Sequence, residues 1–214
     1  MKYLEIRRAV LDAILESRTL GLIHGTSGNV SMRCGDETAA AITPSGIPYD
    51  GMKPEDISVV GISGGEWLDG PFKPSSETPM HTAIYRARAD VAAIVHTHSL
   101  YATVMSMRPC PLDAATVPSC AYFPIQVVPF ALPGSAELAD LASRVIGLGH
   151  DAILLRNHGL IAVGADMASA LACAVYTEEC AQVNYYAELI GYKNYIPEEQ
   201  AEKIREAVKG GKAV

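Results

Sequence analysis

The stretch Ala92-Ala93-Ile94-Val95-His96-Thr97-His98-Ser99 decides how this chain is read. Its small and β-branched apolar residues predict a strand over 91–97. Strand side chains alternate faces with period two, so His96 and His98 leave the same face, adjacent along the strand. A second apolar run, Asp151-Ala152-Ile153-Leu154-Leu155-Arg156, leads to His158 and is expected to pair beside the first. Three neutral imidazoles converging on one point suit a divalent transition metal. Three protein ligands also leave a position open for water or substrate, the pattern of a catalytic site more than a structural one.

Outward from this stretch the chain alternates between helix and strand signals. Residues 3–20 place Ile6, Val10 and Ile14 on one helix face, ended by Gly21 and Gly25. Strands are expected at 30–33, 39–43 and 57–62, with turns at Pro44-Ser45-Gly46 and Gly64-Gly65. A helix is expected over 77–88, where Pro79 fits only in the first turn. A short helix near 99–107 and strands at 125–130, 151–156 and 161–163 follow. A long helix over 166–190 is capped by Asp166. A last helix starts at Pro197, its Glu198 and Glu199 matching the helix dipole. Six or more strands with flanking helices predict a layered α/β domain. Short turns between strands require much antiparallel pairing.

The 214 residues, 49% of them hydrophobic, are enough for one large core. No compositional break marks a linker, so one domain is expected over 1–214, with a flexible tail from about 208. The N-terminal segment is amphipathic and contains acids, which fits neither a signal nor a transit peptide. No apolar run reaches the ~18 residues of a membrane span. A net charge of −7 without a basic cluster argues against nucleic acid and acidic membrane surfaces. Cysteines 34, 110, 120, 173 and 180 form no C-x-x-C pair, and their odd number points to a reducing compartment, the cytoplasm. Cys173 and Cys180, a heptad apart, read as core packing.

Glu77 opens a helix just after Ser75 and Ser76. Those hydroxyls and the free amides of the first turn form an anion site, and a carboxylate there can reach a metal or act as general base. The plainer reading is that a serine caps the helix and Glu77 complements its dipole. Gly25-Thr26-Ser27-Gly28-Asn29 reads either as a backbone nest for phosphate or as a helix-ending loop; it has no Walker lysine. Thr43-Pro44-Ser45-Gly46 is a turn with the same second reading. His24, His81 and His150 lack the strand context of the triad and are not expected to be ligands.

Taken together, GTSGNVS (25–31), TPSGIPYD (43–50), KPSSETPMH (73–81), VHTHS (95–99) and NHGL (157–160) resemble the class II aldolase/adducin-head family, and most of all its L-fuculose-1-phosphate aldolases. The resemblance spans nearly the whole chain. It implies a three-layer α/β/α fold around a largely antiparallel sheet. It also implies a zinc-dependent lyase, assembled as a homotetramer with the active site at a subunit interface. By position, His96, His98 and His158 match the zinc ligands. Glu77 matches the catalytic acid/base, which also ligates zinc in the resting enzyme. Gly28, Asn29, Ser45, Gly46, Ser75 and Ser76 match phosphate-binding positions, and Thr26 a further residue of that loop.

The implied reaction is reversible cleavage of a ketose 1-phosphate, either L-fuculose 1-phosphate or a related deoxy-ketose 1-phosphate. It gives dihydroxyacetone phosphate and an aldehyde through a metal-stabilised enediolate. Three other family readings stand beside it. L-Ribulose-5-phosphate 4-epimerases typically carry Asp at the position of Glu77 and an acid near Ala121. Methylthioribulose-1-phosphate dehydratases share the histidine triad. Adducin-like interaction modules lack the complete site. The fuculose enzymes place a tyrosine in the segment corresponding to Cys110–Thr116, and this chain has none there. Tyr122, Tyr192 and Tyr195 are the candidates for that proton donor.

Overall fold

The computed structural model describes residues 1–35 and 37–210. In chain order the elements are α1 (Leu4–Thr19), β1 (Asn29–Arg33), β2 (Ala39–Ile42), β3 (Ser58–Gly61), β4 (Trp67–Asp69), α2 (Thr78–Ala87), β5 (Ala93–Thr97) and α3 (Leu100–Met105). They continue with β6 (Gln126–Val128), α4 (Ala136–Gly147), β7 (Ala152–Leu155), β8 (Gly159–Gly164), α5 (Met167–Ile190) and α6 (Glu198–Lys209). The strands form one sheet in the order β4-β3-β2-β1-β5-β8-β7-β6. Only β6 and β7 pair in parallel; the other neighbours are antiparallel. The parallel pair is also the one joined through a helix, α4, as a parallel connection requires.

Helices cover both faces of the sheet. Val10 and Ile14 of α1, Ala102 and Met105 of α3, and Cys173 and Cys180 of α5 pack on one side, against Val95, Leu154 and Leu160. Met80 and Ile84 of α2 and Leu138, Ala142 and Ile146 of α4 pack on the other, against Ile94, Ile153 and Ile161. Central strands buried on both faces have no polar side to show, which is why they read as continuous apolar runs. This is the expected three-layer α/β/α architecture.

The sequence expectations need four corrections. β7 does not pair with β5, because β8 lies between them. Arg156-Asn157-His158 forms a tight hairpin, with Asn157 at φ 56° and the His158 amide bonded to the Leu155 carbonyl at 3.0 Å. The chain therefore doubles back at once, and β8 takes the place beside β5. Helix α4 was not expected. Its signals are present in the sequence: Ser135 caps it by accepting from the Leu138 amide, and Leu138, Ala139, Ala142 and Ile146 share one buried face. Strand β4 was not expected either; all three of its residues are exposed, so no burial pattern marks it. Helix α6 runs through Lys209, across the start of the segment expected as a tail; residues 211–214 lie outside the described residues. Among the described residues, no helix is long and apolar enough to cross a membrane.

Candidate active site

Strand parity builds the site. Ile94 faces α2, so His96 and His98 face α2 as well, and Asn29 on β1 pairs opposite His96. The β7–β8 hairpin brings His158 to the same end of the sheet. This works because residue 159 is glycine: a Cβ there would lie 2.1 Å from the Thr97 carbonyl oxygen. Glu77, immediately before α2, points its carboxylate at the histidines. Its Oε2 lies 2.9 Å from His96 Nε2 and its Oε1 lies 3.4 Å from His158 Nε2. The Nε2 atoms of His96 and His98 are 3.1 Å apart. The three rings stand 4.8–4.9 Å apart, steeply inclined to one another. One ligating atom from each of the four residues falls within 4.8 Å of all the others.

The reading of Glu77 as a mere dipole partner does not survive this geometry. Its side chain makes no capping bond, and it is 5% exposed. Ser75 supplies the local turn bonds instead, accepting the Glu77 amide at 3.2 Å on Oγ and the Thr78 hydroxyl at 2.7 Å on its carbonyl.

The hydrogen bonds call for a cation at the centre. His96 Nδ1 lies 2.9 Å from the Leu160 carbonyl and must be its N–H donor. A neutral His96 would then turn the Nε2 lone pair toward the Glu77 carboxylate and toward His98. Only a proton on Nε2 or a metal ion resolves that opposition. Glu77 Oε1 and His158 Nδ1 are also buried without a hydrogen-bond partner. Three imidazoles and a carboxylate are a donor set suited to zinc or a similar ion.

The charges of the site follow from the same contacts. Burial works to raise the Glu77 pKa, but His96, His158 and the Asn29 amide outweigh it and hold the carboxyl well below its usual range. Burial works to lower His96, and Glu77 overrides it and raises that pKa. His98 and His158 are pushed down to about 4, first by burial and then by the charge on His96.

The cluster borders a cavity of ≈220 Å³. Its walls include Thr26, Gly28 and Asn29 from the first loop, Ser45 and Gly46 from the second, and Ser75 and Ser76 before α2. The two later segments are zipped together, Ser45 N–H to the Lys73 carbonyl at 2.9 Å and Ser75 N–H to the Thr43 carbonyl at 3.1 Å. Gly28, at φ +72°, lets the first loop lie on the histidine strand, where a Cβ would meet the His96 carbonyl oxygen at 2.7 Å. Tyr49 fixes that loop by donating to the Gly28 carbonyl at 2.9 Å. Among the described residues, no lysine or arginine lines the cavity, so hydroxyls and amides supply its polarity away from the Glu77–histidine cluster. Asn29 is only partly what the sequence suggested, since its amide is spent on Glu77 Oε2 at 3.0 Å.

Sequence reasoning missed several parts. Pro133 also lines the cavity, beside Ser27 of the first loop. Behind Glu77, His81 Nδ1 contacts the Ser31 hydroxyl at 2.7 Å, and that hydroxyl contacts the Tyr85 hydroxyl at 2.8 Å. His81 is a buried core histidine pushed down to about 3, chiefly by burial. None of the three candidate tyrosines lines the cavity within the chain. Tyr122 stacks on Tyr176, Tyr192 is 77% exposed, and the Tyr195 hydroxyl is buried without a partner.

Residues 8–185 match the family described as Class II Aldolase and Adducin N-terminal domain. The chain belongs to this family. A 5-deoxy-D-ribulose 1-phosphate aldolase of Bacillus thuringiensis serovar kurstaki is 37% identical over 191 residues, covering 89% of each chain. A 5-methylthioribulose-1-phosphate/5-deoxyribulose-1-phosphate aldolase of Rhodospirillum rubrum is 37% identical over 206 residues, covering 95% of this chain and 91% of its own. A solved L-fuculose 1-phosphate aldolase superposes with a TM-score of 0.90 at 32% identity, covering 96% of both chains. The protein is thus a class II aldolase, a metal-dependent enzyme, and its four-residue cluster is a fitting place for the metal.

Proposed function

We propose that this class II aldolase cleaves a 5-deoxy-ketose 1-phosphate, or a close analogue, between C3 and C4 to give dihydroxyacetone phosphate and an aldehyde. The observation that carries the reading is the convergence of Glu77, His96, His98 and His158 at the edge of a hydroxyl-lined cavity. The names of the relatives favour a deoxy sugar phosphate, with L-fuculose 1-phosphate as the near alternative.

His96, His98 and His158 would hold zinc, with Glu77 as a further ligand at rest. When bound, such an ion supplies a Lewis acid beside the reacting oxygens. The hydroxyls of Thr26, Ser45, Ser75 and Ser76 and the loops at Gly28-Asn29 and Gly46 hold the phosphate. Anchoring this non-reacting end sets C3 beside Glu77. When C3–C4 breaks, the electron pair stays on C3 and is shared with the C2 carbonyl. C4 becomes the aldehyde as its hydroxyl loses a proton. Glu77 delivers a proton to C3, and in the synthetic direction removes it. At rest the contacts with His96 and His158 keep the carboxyl ionised. Exchanging them for substrate leaves burial as the dominant influence, which raises the pKa and makes Glu77 a proton carrier.

The aldehyde-side proton falls to a tyrosine, with Tyr122, Tyr192 and Tyr195 as the candidates. The high exposure of Tyr192 supports its reaching a neighbouring subunit. We place the enzyme in the cytoplasm as a homotetramer. Exposed Leu100, Tyr186, Leu189 and Ile190 on α3 and the end of α5 support self-association. The test is a panel of ketose 1-phosphates with coupled detection of dihydroxyacetone phosphate. Release is expected from 5-deoxyribulose 1-phosphate or a close relative. No release from any member would turn the reading toward a dehydratase or epimerase.

A further inference from the structure

Helix α3 is a short strut between two of the site histidines. His98 lies just past the end of β5, and only Ser99 separates it from the first residue of α3. At the other end of α3, the Ser106 hydroxyl accepts the Asn157 amide at 3.0 Å, in the hairpin that carries His158. His96 is oriented independently, by the Leu160 carbonyl. The placement of His98 and His158 relative to His96 therefore depends on where α3 sits.

That helix has only six residues, and Ser99 makes no side-chain capping bond of its own. The cap comes from α5, 76 to 79 positions away in sequence. Glu178 accepts the Tyr101 amide at 2.8 Å on Oε1, and the Ala102 amide and the Ser99 hydroxyl, both at 2.7 Å, on Oε2. Thr97 extends the chain of bonds, its hydroxyl donating to the Ser99 hydroxyl at 3.3 Å. A carboxylate taking two free helix amides is the strong, charge-assisted form of a cap.

We propose that Glu178 is a positioning residue for the metal site, setting His98 through the start of α3 and His158 through Ser106 and Asn157. The inference rests on reading the Glu77/His96/His98/His158 cluster as the metal centre. Glu178 touches neither ligand nor substrate; it acts on two of the ligands through one helix. A side chain that merely tied α3 to α5 would change stability and leave the affinity of the folded site for metal unchanged.

The experiment is zinc competition against a chromogenic chelator, with thermal unfolding of the metal-free protein measured alongside, for wild type, Glu178→Ala, Glu178→Gln and Ser106→Ala. Loss of an outer partner of a metal site typically weakens binding ~10- to 100-fold. Glu178 bonds no ligand side chain itself, so we expect a loss at the lower end of that range, about tenfold, for Glu178→Ala, and smaller losses for Glu178→Gln, which keeps one acceptor, and for Ser106→Ala, which frees one histidine only. Zinc affinity of folded Glu178→Ala within about threefold of wild type, whatever its unfolding temperature, would overturn the proposal. If Glu178→Ala does not fold, Glu178→Gln decides by the same threshold. A wild-type protein that binds no zinc would overturn the metal-centre reading itself, an outcome distinct from wild type and variants binding alike.

Discussion

Replacing Glu77 with Gln isolates the proton-transfer role because the site admits the amide with little rearrangement. The introduced glutamine can keep its carbonyl oxygen where Glu77 Oε2 now accepts from Asn29 at 3.0 Å and faces His96 Nε2 at 2.9 Å. Its amide then takes the place of Oε1, now 3.4 Å from His158 Nε2, without adding bulk. The cavity walls at Ser45, Ser75 and Ser76 are untouched. What disappears is the negative charge and the ability to carry a proton. A positioned acid/base is worth ~10²–10⁴ in rate, or about 2.7–5.5 kcal/mol of barrier. Glu77→Gln should therefore lose turnover in that range, with KM for the ketose 1-phosphate changed by no more than a few-fold. Initial rates of dihydroxyacetone phosphate release, alongside zinc content, provide the assay. Turnover within about tenfold of wild type at full zinc occupancy would refute the role given to Glu77. A loss of zinc that accounts for the whole loss of rate would make Glu77 a ligand only.

Two further perturbations test the walls and the charges. Gly134 sits at φ +76°, and a Cβ there would lie 2.8 Å from the Ser76 carbonyl oxygen. Gly134→Ala should strain or displace the Pro133 loop at a cost of about 1–2 kcal/mol, seen as a rise in KM with a smaller change in kcat; an unchanged KM would detach that loop from substrate binding. The metal-free protein should lose stability in mild acid. Burial lowers the pKa of His81 to about 3 and, with the charge on His96, lowers His98 and His158 to about 4. Their contribution is full above the ordinary histidine pKa of 6.5 and is lost as pH falls from there toward those values. Fully buried His81 alone gives a slope approaching about 1.4 kcal/mol per pH unit. His96, raised by Glu77, runs the opposite way, its contribution present below 6.5 and lost as pH rises through its folded value. Urea unfolding at pH 7 and pH 5 reads the net effect, which three lowered histidines against one raised make a loss at pH 5; equal stabilities at the two would contradict that balance.

The metal cluster was legible in the sequence because its logic is local. Period two puts His96 and His98 on one face, and His158 follows an apolar run. The strand order was not legible, since a run of apolar residues carries no mark of its neighbour. The choice between β7 and β8 as partner of β5 is made by the hairpin at Asn157 and the missing Cβ of Gly159. Helix α4 carries its own signals, a Ser135 cap and Leu138, Ala142 and Ile146 recurring on one face, so nothing physical hid it. Glu178 left no trace for a different reason. Its partners are mostly backbone amides, which any sequence supplies, brought within reach only by packing α3 on α5. Asn29 makes a contact that its loop position does not reveal: it lines the cavity, and its amide also reaches Glu77.

The central claim is that Glu77, beside the histidine cluster, moves a proton at C3 of a bound dihydroxyacetone phosphate. That half-reaction needs no aldehyde, so the unknown natural aldehyde does not limit its test. Zinc-loaded enzyme incubated with dihydroxyacetone phosphate in D₂O should exchange one C3 hydrogen for deuterium, visible by proton NMR, and Glu77→Gln should exchange far more slowly. Wild-type enzyme that binds dihydroxyacetone phosphate at full zinc occupancy and exchanges nothing would contradict the account.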